Sequence, residues 1–262
     1  GAGWLARRMH RRRWSDVPVG ARCQTGEVFM QVFGPPALWP AQDLIAFSDD
    51  LNLSLVLDAY CSGAFPMPLH ESSFESVMGW WSPMRRAVLE LDDLRVTRSL
   101  SKSARRYTTT IDQAFPAVLE RCADPARPHG WIDDDIRRVY TEAHEIGAVH
   151  SIETWDGEGR LVGGLYGVSL WGLFAGESMF HDPVHGRDAS KVALGRLVNE
   201  LRTRPDGDAL LDLQWLTPHL ASLGASEISR ADYLGRLVSA LNAPQTEWAR
   251  IRRPGDWRLV RT

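Results

Sequence analysis

Three strand-like stretches, Val149 to Trp155, Leu161 to Ser169 and Gly172 to Phe180, run one after another, with Asp156-Gly157 as the turn between the first two. A loop from His181 to Asp188 follows. Next comes a segment whose Leu194, Leu197, Val198 and Leu201 fall at i, i+3, i+4 and i+7, and then an apolar strand-like stretch, Ala209 to Trp215. Strands this apolar must be covered by helices, so the order predicts a mixed α/β (α+β) domain. With 262 residues, 44% of them apolar, the chain can build that core and a smaller unit beside it. Disorder and a collagen-like repeat are excluded.

The rest of the chain divides into two further parts. Residues 1–22 hold Arg7, Arg8, Arg11, Arg12 and Arg13 in one cluster, which reads as a solvated tail or as a phosphate-binding arm. Residues 23–82 read as a small N-terminal domain. Its amphipathic stretch from Asp43 to Tyr60 predicts a short helical hairpin. The run Gly63-Ala-Phe-Pro-Met-Pro68 stops any helix because two prolines fix the backbone, and Trp80-Trp81 before Pro83 resumes an extended path. The boundary falls near Ser82, and residues 83–262 form the larger domain. Its first half predicts a strand from Ala87 to Leu91, a basic helix from Ser99 to Arg106, a Thr-rich strand from Tyr107 to Ile111 and a helix after Ala114. A longer helix opens near Asp133 and closes at Gly147.

A net charge of -3 and a pI near 6.3 argue against coating nucleic acid by bulk positive charge and leave only local basic patches. Cys23, Cys61 and Cys122 lie far apart with no CxxC spacing, so neither a disulfide framework nor a cysteine metal site is expected, and a reducing cytoplasm fits. His144, His150, His219 and the other histidines lack HExxH spacing, and no GxSxG surrounds a serine, so metal catalysis and serine hydrolysis are not expected. No run approaches the roughly 18 apolar residues of a spanning helix, and no signal peptide is visible. With no exposed apolar heptad, a monomer is the default expectation.

The order of three strands, loop, helix and strand resembles an acetyltransferase-like (GNAT) core, but Asp182 to Asp188 offers one glycine, a poor amide cradle for the pyrophosphate of coenzyme A. The stretch GGLYGVSLWGLFAGESMF from Gly163 to Phe180, with Ala189-Ser-Lys191 after it, closely resembles the leucyl/phenylalanyl-tRNA-protein transferase family, which moves an amino acid from tRNA to a protein N-terminus. The resemblance continues through AYCSGAFP at Ala59 to Pro66, WWSP at Trp80 to Pro83, HGWI at His129 to Ile132 and HSIETW at His150 to Trp155. It recurs in DLQ at Asp212 to Gln214 and HLASLGASEISRADYL at His219 to Leu234, so the ordered blocks span most of residues 43–234.

The resemblance implies that Asp212 and Gln214 lie at the reaction centre, and that Glu177 and Trp131 hold the aminoacylated terminal adenosine. The side chain of the transferred amino acid would enter a pocket of Leu165, Phe174, Leu194, Leu197, Leu201 and Leu211, residues that also read as ordinary core. Arg98, Lys102, Arg105 and Arg106 cluster on one predicted helix and would meet the acceptor-stem phosphates. The implied reaction needs no cofactor. A free α-amine has a pKa of about 7.7 to 8.0 and the ester is already activated, so positioning should outweigh base catalysis. In this reading Gln214 orients the amine or stabilises developing charge, and the Asp212 carboxylate fixes the Gln214 side chain.

The chain departs from the family pattern at Ser48-Asp49, where glycines are usual, at Met67, where a tryptophan frames the donor site, and at Thr217, where asparagine is usual. Leu197 and Leu201 stand where bulkier aromatics are familiar. The expectation is an aminoacyltransferase carrying Leu, Phe or Met from tRNA to the α-amine of a protein that begins with Arg or Lys, marking it for degradation. The alternatives are a tRNA-dependent transferase with another protein or small-molecule amine as acceptor, an acyl-CoA N-acyltransferase, and a catalytically silent tRNA-binding relative.

Overall fold

A computed structural model of the protein describes residues 33–69, 77–124, 132–204 and 209–248, the backbone of 251–252, and residues 257 and 259. The Arg-rich residues 1–22 lie outside the described residues. A small antiparallel sheet comes first, from β1 (Leu44–Ser48), β2 (Phe65–Pro68) and β3 (Met78–Trp81) in the order β1-β3-β2, with helix α1 (Leu53–Ser62) between β1 and β2. The expected helical hairpin is thus a strand followed by a helix. Leu44-Ile-Ala-Phe47 pairs with β3, and Asn52, in extended backbone, accepts the Leu55 N–H at 3.0 Å and opens α1 only there. Gly63 closes α1 at φ 91°, a left-handed conformation that favours glycine.

The larger sheet has the order β10-β4-β9-β8-β7-β6-β5-β11. Its strands are β4 (Arg85–Val88), β5 (Thr108–Ile111), β6 (Val149–Trp155), β7 (Leu161–Leu170), β8 (Leu173–His181), β9 (Leu210–Gln214), β10 (Ser226–Ser229) and β11 (Ile251–Arg252). The α-helices described with it are α2 (Arg98–Ala104), α3 (Phe115–Cys122), α4 (Asp134–Glu145), α5 (Ala189–Arg202), α6 (Pro218–Ser222) and α7 (Arg230–Asn242). The strands and helices expected between 107 and 215 fall within a few residues of their predicted ends. Asp133 caps α4 through the Ile136 N–H at 2.8 Å, and Gly147, at φ 79°, follows its last turn as expected.

Neighbouring strands are antiparallel except β8 and β9, which the α5 crossover makes parallel. The sheet therefore has two covered faces. One packs Val118, Ile136, Tyr140 and Tyr166 with Tyr60 of α1 and Tyr233 of α7. The other packs Leu165, Phe174 and Leu211 against α5 and Leu100 of α2. The small sheet is fastened to the large one by polar bonds: Asp43 accepts from the Met84 N–H at 2.8 Å and from the Trp215 indole at 2.9 Å, and Arg230 donates to the carbonyls of Pro40, Gln42 and Ser82. The Phe65 and Trp81 rings meet Trp215 edge-on at 4.9 and 5.6 Å. No helix among the described residues is long and apolar enough to cross a membrane.

Candidate active site

Where β8 and β9 run side by side, pairing extends only from Leu173 with Leu210 to Ala175 with Asp212. Beyond that point both strands carry an irregularity. On β8, Gly176 pairs with Gly167 and Ser178 with Tyr166, leaving Glu177 as an extra, unpaired residue. On β9, Asp212 pairs with Val88 and Gln214 with Ala87, leaving Leu213 unpaired. Such bulges bend a strand and re-aim its side chains. Gly176 to Met179 are also the only consecutive half-open positions in β6, β7 and β8, which are otherwise buried except at Trp155, Leu161 and His181 at their ends. An opening in mid-sheet results, with Glu177 on one lip and Gln214 on the other.

Four side chains converge there. The Glu177 carboxyl group accepts from Tyr60 Oη at 2.5 Å, Tyr140 Oη at 3.2 Å and Gln214 Nε2 at 3.1 Å, and the two phenol oxygens are 2.6 Å apart. Burial raises the Glu177 carboxyl, and the negative charge of Asp212 adds to it; the phenol donors and Arg86 pull the other way, and the balance is pushed up to about 8. Burial likewise holds both phenols protonated far above neutrality.

Asp212 is fully buried and grips Arg86 in a fork, Nε to Oδ1 at 2.8 Å and Nη2 to Oδ2 at 2.6 Å. Tyr233 Oη adds a third bond at 2.9 Å. Arg86 also donates to the Gly63 carbonyl at 3.1 Å and lies 4.8 Å from the ring centre of Phe65 and 4.2 Å from that of Tyr233. Burial alone would lower the Arg86 pKa, but the Asp212 charge overrides it and keeps the guanidinium ionised.

The link from Asp212 to Gln214 differs from the expected one. The carboxylate takes the Gln214 backbone N–H, at 3.0 Å, and not its side chain, which turns to Glu177. The reason is the backbone: Gln214 sits at φ 58°, in the left-handed region, so the chain curls back on Asp212 while the amide swings toward the opening. Asp212 therefore fixes the turn, and Glu177 fixes the amide.

The six expected pocket residues are brought together: Leu165, Phe174, Leu194, Leu197, Leu201 and Leu211 share one cluster, each at most 4% exposed. That cluster covers the α5 face, opposite the face that carries Tyr60, Tyr140 and Tyr233, and Leu213 and Met179 adjoin it beside the opening. Trp131 lies outside the described residues. Arg98, Lys102, Arg105 and Arg106 are all exposed on or just after α2, which packs on α5 through Leu100 and Ser103. Gly186, in the loop before α5, is needed for packing, because a Cβ there would stand 2.1 Å from the Val162 carbonyl.

Sequence reasoning missed Arg86, Tyr60, Tyr140 and Tyr233. Tyr60 and Tyr233 stand inside the blocks AYCSGAFP and ADYL, so the signal was present without a role to attach to it. The Glu177 pKa gives a testable result. Native Glu177 keeps its proton to about pH 8 while the unfolded chain releases it near the ordinary value of 4.5, so its contribution is complete at acid pH and is lost as pH rises through 8. Urea unfolding from about pH 5 to about pH 9 should show wild type losing stability relative to Glu177→Gln, and parallel curves would contradict the assignment.

In sequence, the chain matches one family of known proteins. The family profile for leucyl/phenylalanyl-tRNA protein transferase matches residues 88–238, and that for the N-terminal domain of the same transferase matches 49–84. A protein of Ruegeria sp. (strain TM1040) named leucyl/phenylalanyl-tRNA--protein transferase is 47% identical over 196 residues, 74% of this chain and 89% of that one. One of the same name from Anaeromyxobacter dehalogenans (strain 2CP-C) is 44% identical over 232 residues, 87% of this chain and 92% of that one.

Proposed function

The chain belongs to the leucyl/phenylalanyl-tRNA protein transferase family, and on that premise we propose that the opening between β8 and β9 is where it moves Leu or Phe from aminoacyl-tRNA to the N-terminal amine of a protein beginning with Arg or Lys. The observation that carries the siting is the Glu177–Gln214 bond across parted strands, with an apolar cluster reaching the gap from the α5 face. The ester end of the donor lies in the gap, its adenosine on the Glu177 side and its amino-acid side chain toward Met179, Leu165 and Phe174. An apolar pocket selects its guest by burial, at roughly 0.8 kcal/mol per methylene. The antiparallel strands followed by a parallel pair that separates support a GNAT-like reading of the larger domain, and the two separate sheets support the division near Ser82.

With Nε2 donating to Glu177, Gln214 presents its carbonyl oxygen to an N–H of the incoming amine. The amine attacks the ester carbonyl carbon, the C–N bond forms, the ester C–O bond breaks, and the proton leaving nitrogen passes to the departing ribose oxygen. Holding the two reactants in attack geometry can supply about 7 to 11 kcal/mol, against a factor of about 10² to 10⁴ for a positioned base, so placement leads. The exposed cations of α2 face the acceptor-stem phosphates. The chain acts as a monomer in the cytoplasm, marking the acceptor for degradation.

The test is transfer of radiolabelled Leu or Phe from charged tRNA into an Arg-starting peptide; absence of label in the peptide sinks the proposal. In the same assay Arg98→Glu with Lys102→Glu should raise the donor KM and flatten its dependence on salt. An unchanged salt slope removes α2 from the donor surface.

A further inference from the structure

Tyr60, Tyr140 and Glu177 make more contacts with one another than the two phenols have protons. Tyr60 Oη lies 2.5 Å from Glu177 Oε1, the two phenol oxygens lie 2.6 Å apart, and Tyr140 Oη lies 3.2 Å from Glu177 Oε2. The three groups thus close a triangle, and every edge is at hydrogen-bond distance. Each edge needs one proton. The phenols bring two, so while Glu177 is ionised one edge sets two oxygens face to face with nothing between them. A proton on the carboxyl group completes the triangle: Oε2–H donates to Tyr140, Tyr140 to Tyr60, and Tyr60 to Oε1. Burial holds all three groups in the form this needs, the phenols protonated and the carboxyl group pushed up to about 8. The other charged groups that face Glu177 are Asp212 on β9 and Arg86 on β4, and these are paired with each other at 2.6 Å beside Tyr233 of α7.

This proton count reaches Gln214. Its Nε2 stands 3.1 Å from the same Glu177 Oε1, while its own Oε1 has no partner among the described residues. The two ends of an amide have nearly the same shape, so the group facing it decides which end points into the gap. In the closed triangle every proton is committed to an edge and none is left for Gln214. Only the NH₂ end can then face Glu177, and the carbonyl end faces the gap. A carboxyl proton outside such a triangle would be free to donate to the Gln214 carbonyl and turn the amide round.

We propose that Tyr60 and Tyr140 are positioning residues that act through Glu177: by holding its proton within the triangle they keep the Gln214 carbonyl turned toward the incoming amine. This rests on the transferase reading above and adds to it a role for two phenols that stand 80 residues apart in the chain.

The experiment measures kcat for transfer by Tyr140→Phe and by wild type from about pH 6.5 to about pH 9.5 and takes their ratio, so that titration of the acceptor amine and lability of the ester cancel. Near neutrality the variant leaves the carboxyl proton without its phenol, and the ratio should be about one tenth with the donor KM held. The Tyr140 phenol lowers the Glu177 pKa, so in its absence the proton should leave somewhat above pH 8. A bare carboxylate only accepts, the amide turns back, and the ratio should climb toward one. Tyr60→Phe opens the same triangle at its other corner and should behave alike, which keeps the test intact if one variant does not fold. A second readout needs no activity: the infrared spectrum of wild type at neutral pH should contain a buried protonated carboxyl band that Glu177→Gln lacks and that shifts in Tyr140→Phe. A ratio near one at neutral pH, a deficit that does not change with pH, or the absence of that band overturns the proposal. Wild type that shows the band and transfers no label overturns the transferase reading, and the role given to the phenols with it.

Discussion

Asp212→Ala is expected to destabilise the protein by about 3 to 5 kcal/mol and to abolish transfer. The stability loss comes less from the carboxylate than from what it leaves behind. Arg86 is fully buried, and its other polar contacts are a carbonyl and the Tyr233 hydroxyl, neither of which neutralises a guanidinium. Replacing both partners, as in Arg86→Met with Asp212→Leu, should recover much of that stability, because two apolar groups of similar size need no charge compensation. Transfer should not return, because the Gln214 N–H would have lost the acceptor that holds its turn. Urea unfolding with a transfer assay on each variant separates the two contributions. A double variant that regained transfer would show that Asp212 acts only as the counter-ion of Arg86.

Gln214→Ala should lower kcat by about 10² to 10³ and leave donor affinity nearly unchanged, the size of effect seen when one preorganised polar group is removed from a reacting centre. Equal turnover at saturating donor would refute the assignment. Gln214→Gly makes the contrast sharper. Glycine takes φ 58° without the cost of about 1 to 2 kcal/mol that a side chain bears there, so this variant should unfold at the same or higher urea concentration than wild type while being equally slow. A residue kept in a costly conformation whose removal harms only turnover is there for the reaction.

Much of the fold was legible because strand and helix periods are local. Val149 to Trp155 and the leucines of α5 announce themselves within one window of sequence, and Asp133 and Gly147 mark both ends of α4 by their own chemistry. Leu44 to Phe47 was misread because a four-residue apolar run has no period of its own; only pairing with β3 makes it a strand. The centre of the site was legible in part. Glu177, Gln214 and Asp212 stand in blocks shared with the family, but the bond from Tyr60 to Glu177 spans 117 residues and that from Arg86 to Asp212 spans 126, distances over which no pattern in the chain operates. The bulge at Glu177 was hidden for a related reason. Alternation along β8 would put Met179 on the same face as Glu177, and only the register against β7 shows the extra residue that sends Met179 to the other cluster.

The clasp around Arg86 also governs when the molecule becomes competent during its own synthesis. Arg86 leaves the ribosome early, while Tyr233, which bonds both it and Asp212, follows 147 residues later. Until α7 has emerged and docked, the cation and carboxylate lack their shared cover, and the turn that aims Gln214 has no fixed footing. On the proposed siting, a nascent chain completes this clasp only once α7, the last helix among the described residues, has been made.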